Sequence, residues 1–129
     1  MDIGTLVTRA ARRFPDRIAV EGPDGTRTFA ELGERVTRIA NGLLAQGLQP
    51  GDRVLDLQSN STAYLETDLA IRSAGLVRAA LNYRLHTTDW ERIAHDSGAR
   101  GIVYADKFAD KLPPLPEAIS VKVRVGGEA

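Results

Sequence analysis

The chain has 129 residues, enough for one domain or part of one, and 43% of them are hydrophobic, an ordinary share for a globular protein. Seventeen basic and 17 acidic residues balance to zero, so composition alone gives no reason to expect electrostatic binding to nucleic acid or an anionic membrane. There are no cysteines, which excludes disulfides and thiolate metal sites, and the two histidines, His86 and His95, lack a metal-ligand spacing. From the N-terminus, residues 4–14 predict an amphipathic helix. Leu6, Val7, Ala10, Ala11 and Phe14 follow helical spacing, Arg9, Arg12 and Arg13 take the other side, and Pro15 stops it. This opening stretch lacks the apolar core of a secretory signal, and no run of 18 apolar residues occurs, so the expected compartment is the cytoplasm, with no transmembrane segment.

Ile18 to Val20 and Thr26 to Phe29 flank the turn sequence Gly22-Pro23-Asp24-Gly25 and predict a β-hairpin. Thr28 and Glu31 have capping-box spacing for a second helix, with Leu32, Val36, Ile39, Leu43 and Leu44 as its apolar stripe and Gly47 as its C-cap. Pro50-Gly51 is a tight-turn pair before a strand, Arg53 to Leu57. Ser61 is the expected N-cap of a helix from Thr62 to Ala74, with Leu65, Leu69 and Ala70 inward and Gly75 at its end; Leu76 to Leu81 is the next strand. Thr88 and Glu91 repeat the capping-box spacing and predict the start of a helix that buries Trp90, Ile93 and Ala94 and stops at Gly98. A strand at Gly101 to Ala105, a short helix around Phe108 to Leu112 and a proline-rich loop at 113–116 follow. In the last element, Ile119 to Val125, Val121, Val123 and Val125 alternate with Lys122 and Arg124. Period two means one buried and one solvated face, so this strand belongs near a sheet edge or beside something the chain lacks. Strands alternating with helices predict an α/β fold, a Rossmann-like, mainly parallel sheet with flanking helices and an N-terminal β-hairpin.

Candidate chemistry is sparse. Ser59, Asn60 and Ser61 sit at a strand-to-helix junction, where free N–H groups can hold an anion or the side chains can simply cap the helix. Asn82 and Arg84 follow a strand end, where ligands gather in open α/β sheets and where loop hydrogen bonds are equally at home. Gly126-Gly127 reads as a turn, because no complete glycine fingerprint and no helix accompany it. His86 and His95 lack a nucleophile and an orienting carboxylate and are expected to be partly exposed structural residues. No catalytic residue and no metal ligand is assigned.

Blocks of the chain, in order, carry a family resemblance: FPDRIAVEGPDGTRTFAEL, ERVTRIANGLLAQGLQPGDRV, SNSTAYLETDLAIRSAG and LNYRLHTTDWERIAHDSGARGIVYAD. Together they resemble the N-terminal region of the AMP-forming acyl-CoA synthetases, which adenylate a carboxylate with ATP and load it on coenzyme A. One departure is Ala80, where the family often has proline before the Leu-Asn pair; alanine accepts the same extended backbone. The resemblance implies that residues 1–129 are the N-terminal part of the large adenylate-forming domain, an incomplete domain without the family's phosphate loop and C-terminal domain. It implies a parent fatty-acid–CoA ligase using ATP, Mg²⁺ and coenzyme A on a fatty acid or other carboxylate, with this chain as inactive scaffold. An aryl-CoA ligase, a carrier-protein-loading adenylation domain and a non-catalytic interaction module are the alternatives. Lys107 and Lys111 are carried over as candidates for the nucleotide end of coenzyme A, beside the reading of a solvated charged helix face. The remainder of the enzyme is the expected partner, and a homodimer through the last strand is expected if its apolar face stays uncovered.

Overall fold

The computed structural model describes residues 3–126. Helix α1 (Ile3–Arg13) leads into a hairpin, β1 (Ile18–Gly22) and β2 (Gly25–Thr28), and then into α2 (Phe29–Ala45). From there strands and helices alternate: β3 (Arg53–Leu57), α3 (Thr62–Ser73), β4 (Val77–Ala80), α4 (Thr87–Asp96), β5 (Gly101–Ala105), a 3-10 turn (Asp106–Lys111) and β6 (Val121–Val125). β1 and β2 pair antiparallel in a sheet of their own. The other four strands form one sheet in the order β4-β3-β5-β6, and each neighbouring pair is parallel. The alternation of strand and helix read in the sequence is therefore the alternation of the fold.

The sheet is covered on both sides because its central strand is apolar on both sides. Val54 of β3 and Val103 of β5 pack with Leu32, Val36, Leu43, Leu69 and Ile71 from α2 and α3. Leu55, Leu57 and Ile102 face the other way, onto Trp90 and Ala94 of α4 and Phe108 of the 3-10 turn. Trp90 meets Phe108 edge-on at 5.9 Å, and its indole N–H donates to the Asn82 carbonyl at 3.0 Å. An indole buried with its donor satisfied is packing, not a stacking platform.

Local signals fix the connections. The Asp52 N–H donates to the Gln49 carbonyl at 2.9 Å, closing a turn with Pro50 second and Gly51 third. Gly51 has φ +91, which a type II turn demands at that position and which only glycine adopts at low cost. The capping box at α2 is present: the Glu31 N–H donates to Thr28 Oγ1 at 3.2 Å, and the Thr28 N–H to Glu31 Oε1 at 2.9 Å.

Several details differ from expectation. On α1, Leu6 and Phe14 are exposed although their spacing put them with the apolar side, and Val7 and Ala11 are the residues that pack inward, Ala11 against Gly33 of α2. Along α2 the buried stripe is Leu32, Val36, Ala40 and Leu43, while Leu44 is exposed; the small Ala40 takes the inward position facing neighbouring elements. α4 begins earlier than Thr88 and Glu91 suggested. Its N-cap is His86, whose Nδ1 accepts from the Thr88 N–H at 3.2 Å, while Asp89 accepts from the His86 N–H at 3.3 Å. An acidic side chain three residues after the cap completes the box, and Asp89 holds that place. The terminal strand begins at Val121; Ile119 precedes it and is buried in the second core. Gly126 turns away from β6 with φ +82; Gly127 lies outside the described residues.

Candidate functional site

The carboxyl ends of β3, β5 and β6 open on a cleft of about 320 Å³, lined by Asp24, Gln58, Ser59, Ser61, Asp106 and Lys107 among others. In open parallel sheets this end is where ligands bind. Its floor is the start of α3, and the chain itself occupies that helix terminus. Ser61 Oγ accepts from the Tyr64 N–H at 3.0 Å. The carboxylate of Asp24, from the hairpin turn, accepts from the Thr62 N–H at 2.8 Å and from the Ala63 N–H at 3.1 Å. Thr62 Oγ1 donates back to the Gly25 carbonyl at 2.8 Å. A Cβ on Gly22 would lie 2.5 Å from Thr62 Oγ1, so glycine there is what lets the hairpin come this close. Desolvation works to raise the Asp24 carboxyl, but the amides of Thr62 and Ala63 outweigh it and hold it below its ordinary 3.8. The amides that could have received an anion at Ser59 to Ser61 are thus bonded within the chain, and capping is the role the geometry gives Ser61.

Of the two lysines singled out, the structure brings only Lys107 to this cleft. Its Nζ lies 5.3 Å from the Phe108 ring centroid. Beside it Asp106 is ion-paired to Arg124 of β6. Lys111 is exposed at the other end of the 3-10 turn, where its carbonyl accepts from Thr87 Oγ1 at 3.3 Å. Asn82 and Arg84 bond each other across the loop, Asn82 Oδ1 accepting from the Arg84 N–H at 3.0 Å. His86 is exposed and caps α4, and His95 is exposed in its last turn.

A second hollow of about 300 Å³ lies between α3 and β4, lined by Asn60, Ser61, Tyr64, Leu65, Asp68 and Arg78. Behind it is a charged cluster that the periodicity did not single out. Asp56, at the heart of the central strand and 2% exposed, accepts from Arg78 Nε and from Gln58 Nε2, both at 2.8 Å. Arg78 also lies 3.4 Å from Asp68, and its guanidinium sits 4.8 Å from the Tyr64 ring centroid. Burial pushes the Asp56 carboxyl above its ordinary value, against the opposing bonds from Arg78 and Gln58. A similar knot ties the hairpin to the helices. Glu66 of α3, 1% exposed, pairs with Arg35 of α2 and lies 3.6 Å from Arg27 of β2. The signal was present in the runs Val54-Leu55-Asp56-Leu57 and Leu76-Val77-Arg78-Ala79-Ala80. A charge inside a strand buried on both faces requires a partner, and these two strands carry opposite signs. Neither cluster contains a nucleophile or a histidine, so their chemistry is that of internal ion pairing. Among the described residues, no three His, Cys, Asp or Glu side chains are grouped to hold a metal ion.

With this geometry in view, the comparisons with known proteins are specific. A family model described as AMP-binding enzyme matches residues 7–127. The chain is 39% identical over 124 residues to a feruloyl-CoA synthase of an Amycolatopsis species, which covers 96% of this chain and 25% of that protein. It is 32% identical over 108 residues to a mitochondrial medium-chain acyl-CoA ligase of Mus musculus, covering 82% of this chain and 18% of that protein. The inhibitor-bound N-terminal domain of FACL13 from Mycobacterium tuberculosis matches with a TM-score of 0.87 at 25% identity, over 96% of this chain and 33% of that one. The chain therefore spans about a quarter or less of the length of these curated relatives.

Proposed function

The chain belongs to the AMP-binding enzyme family, and from that premise we propose that it is the N-terminal part of the adenylate-forming domain of an ATP-dependent carboxylate–CoA ligase. The proposed reaction joins a carboxylate to the α-phosphate of ATP with release of pyrophosphate. It then transfers the acyl group from AMP to the thiol of coenzyme A. The observation that carries this reading is a family match running over residues 7–127 in a chain that spans only 25% of a 39% identical relative.

Within that enzyme we propose that these residues are scaffold. Holding ATP phosphates takes free backbone N–H groups and cations aimed at the transferring group, and carboxylates to hold a Mg²⁺ that would offset the phosphate charge. The α3 terminus is already occupied by Asp24 and Ser61, and the arginines Arg78 and Arg35 are committed to the buried carboxylates of Asp56 and Glu66. The described residues do not fit ATP and its metal, so no step of the reaction runs through them. Lys107, on the cleft, is the cation we assign to the nucleotide end of coenzyme A; Lys111, outside it, is the second candidate charge on the same turn. The proposed compartment is the cytoplasm.

Fatty acids are the first substrate class proposed, in keeping with the medium-chain relative. An aryl carboxylate is the second reading, favoured by the higher identity to a protein named for feruloyl-CoA. Carboxylate-dependent ATP–pyrophosphate exchange tests the proposal. The chain alone should stay at background with dodecanoate and with ferulate, and the coding sequence read in frame past Ala129 should reach a Ser/Thr/Gly-rich phosphate loop within a few tens of codons. Exchange above background by the chain alone would overturn the scaffold assignment, and a stop codon without such a loop would overturn the ligase. Exchange by the continued reading frame with ferulate but not dodecanoate would select the aryl substrate.

A further inference from the structure

Two demands of the fold meet in the hairpin turn. The start of α3 takes an acid at residue 24, because the Asp24 carboxylate accepts from the Thr62 and Ala63 N–H groups at 2.8 and 3.1 Å. The turn takes glycine at residue 25, because φ there is +147, a backbone that strains any residue with a side chain. Together they place an Asp-Gly pair at 24–25, the only one in the sequence. Such a pair is prone to isomerise, since no side chain on the glycine hinders attack of its backbone nitrogen on the preceding carboxyl. The nitrogen bonds to the aspartate Cγ, a carboxyl oxygen leaves as water with the amide proton, and a five-membered succinimide forms. Water then opens the ring at one of its two carbonyls and gives back aspartate or its isomer isoaspartate, of the same mass.

The structure sets a restraint against this reaction. Ring closure requires the Asp24 carboxyl to leave both amides and swing back onto the Gly25 nitrogen. Thr62 holds both ends of that movement: its N–H donates to the carboxylate, and its Oγ1 donates to the Gly25 carbonyl, each at 2.8 Å. Burial opposes the ionisation of Asp24, but the two amides keep its carboxyl below the ordinary value, and a carboxylate gives up oxygen less readily than the acid. We propose that Asp24-Gly25 is a site of isoaspartate formation held in check by the cap on α3, so that modification follows local release of the hairpin and makes the release permanent. Isoaspartate carries the backbone through the former side chain, which adds one carbon to the turn and leaves the carboxylate on a shorter arm. The pairing of Gly22 with Gly25 and the reach to Thr62 and Ala63 cannot then both be kept. The reaction is internal and draws only on water, so it does not depend on which faces of the chain are covered.

Prolonged incubation of the chain at neutral pH tests this. Isoaspartyl methyltransferase with labelled S-adenosylmethionine reads the free α-carboxylate of isoaspartate, and fragmentation mass spectrometry of the tryptic peptide 18–27 places it at residue 24. The same peptide, free in solution, sets the unrestrained rate, and the intact chain should isomerise more slowly. Thr62→Pro removes both Thr62 bonds yet suits the first position of α3, after Ser61 in extended backbone with φ −165. It should raise the rate about fivefold, the weight of one helix cap in a local opening equilibrium. Thr62→Ser, which keeps the N–H and the hydroxyl, should isomerise as the parent does. Asn41-Gly42, inside α2, deamidates by the same ring closure only when that helix opens, so its rate separates global unfolding from local release and should not change in Thr62→Pro. The isomerised chain, separated by chromatography, should melt at a lower temperature than the parent. An intact chain that isomerises as fast as the peptide, a Thr62→Pro rate equal to the parent's, a rise at Asn41 matching that at Asp24, or an isomerised chain as stable as the parent would each overturn the proposal.

Discussion

Asp56 is the residue whose environment is most at odds with its chemistry. A carboxylate at 2% exposure in the central strand is tolerated because both of its oxygens are bonded, one by Arg78 and one by Gln58. Removing one partner of such a pair costs more than removing both, because the survivor remains buried and charged. Asp56→Leu should therefore lower the unfolding free energy in urea by about 3 kcal/mol. Adding Arg78→Leu should restore most of that loss, even though Arg78 also touches Asp68. Equal or additive losses in the single and double variants would show that the two residues are not coupled. The cluster was legible in kind but not in place. The two strands are legible in their apolar residues, but nothing local to Asp56 or Arg78 names its partner. Pairing in the sheet is what sets Asp56 one strand away from Arg78, and register is not written in the spacing of a single chain.

At the scale of elements, the junction between the hairpin and α3 shows how a turn can serve a distant helix. Asp24 sits in the sequence as an ordinary turn residue, and its turn was predicted. Its bond to the amides of Thr62 and Ala63 spans nearly forty residues and depends on Gly22 lacking a side chain, which local patterns do not reveal. The capping boxes divide the same way. The one at Thr28 and Glu31 was readable because its residues are the commonest ones, while that at His86 and Asp89 was displaced by the neighbouring Thr88 and Glu91, which have the more familiar letters. Asp24→Ala should lower stability at neutral pH by about 1 kcal/mol, the usual worth of a helix cap. The sign of its pH dependence follows from the depressed carboxyl. A group held below its unfolded value of 3.8 stabilises the fold above that pH and loses its contribution as the pH falls through the folded value. Denaturation curves of the parent and Asp24→Ala should therefore stand apart at pH 7 and converge below pH 3.8. A gap that stays constant down to acid would mean that the carboxylate charge plays no part.

For the molecule as a whole, the parallel sheet and its helices followed from the alternation of elements, and the order β4-β3-β5-β6 leaves β6 at one edge, as its period-two pattern required. Val121 is buried, but Val123 and Val125 are only half-buried, and one side of the strand has no partner among the described residues. An unpaired edge beside partly covered valines favours pairing with a second copy. Two β6 strands meeting antiparallel about Val123 would place Lys122 of each copy opposite Arg124 of the other, and like charges facing across strands oppose the pairing. Arg124 is partly neutralised by Asp106, which leaves the repulsion modest. Self-association at tens of micromolar, followed by light scattering, should therefore be weak at low salt and strengthen as salt screens these charges. Hydrogen exchange identifies the surface: the β6 amides that face away from β5 should gain protection as concentration rises, while those of β3 and β5 stay the slowest at every concentration. Val123→Lys should hold the chain monomeric by adding a third like charge at the centre of the pair. Light scattering that reports a monomer at all concentrations and salts, or a dimer untouched by Val123→Lys, would show that the edge of β6 is protected by its own charges and that the chain associates elsewhere or not at all.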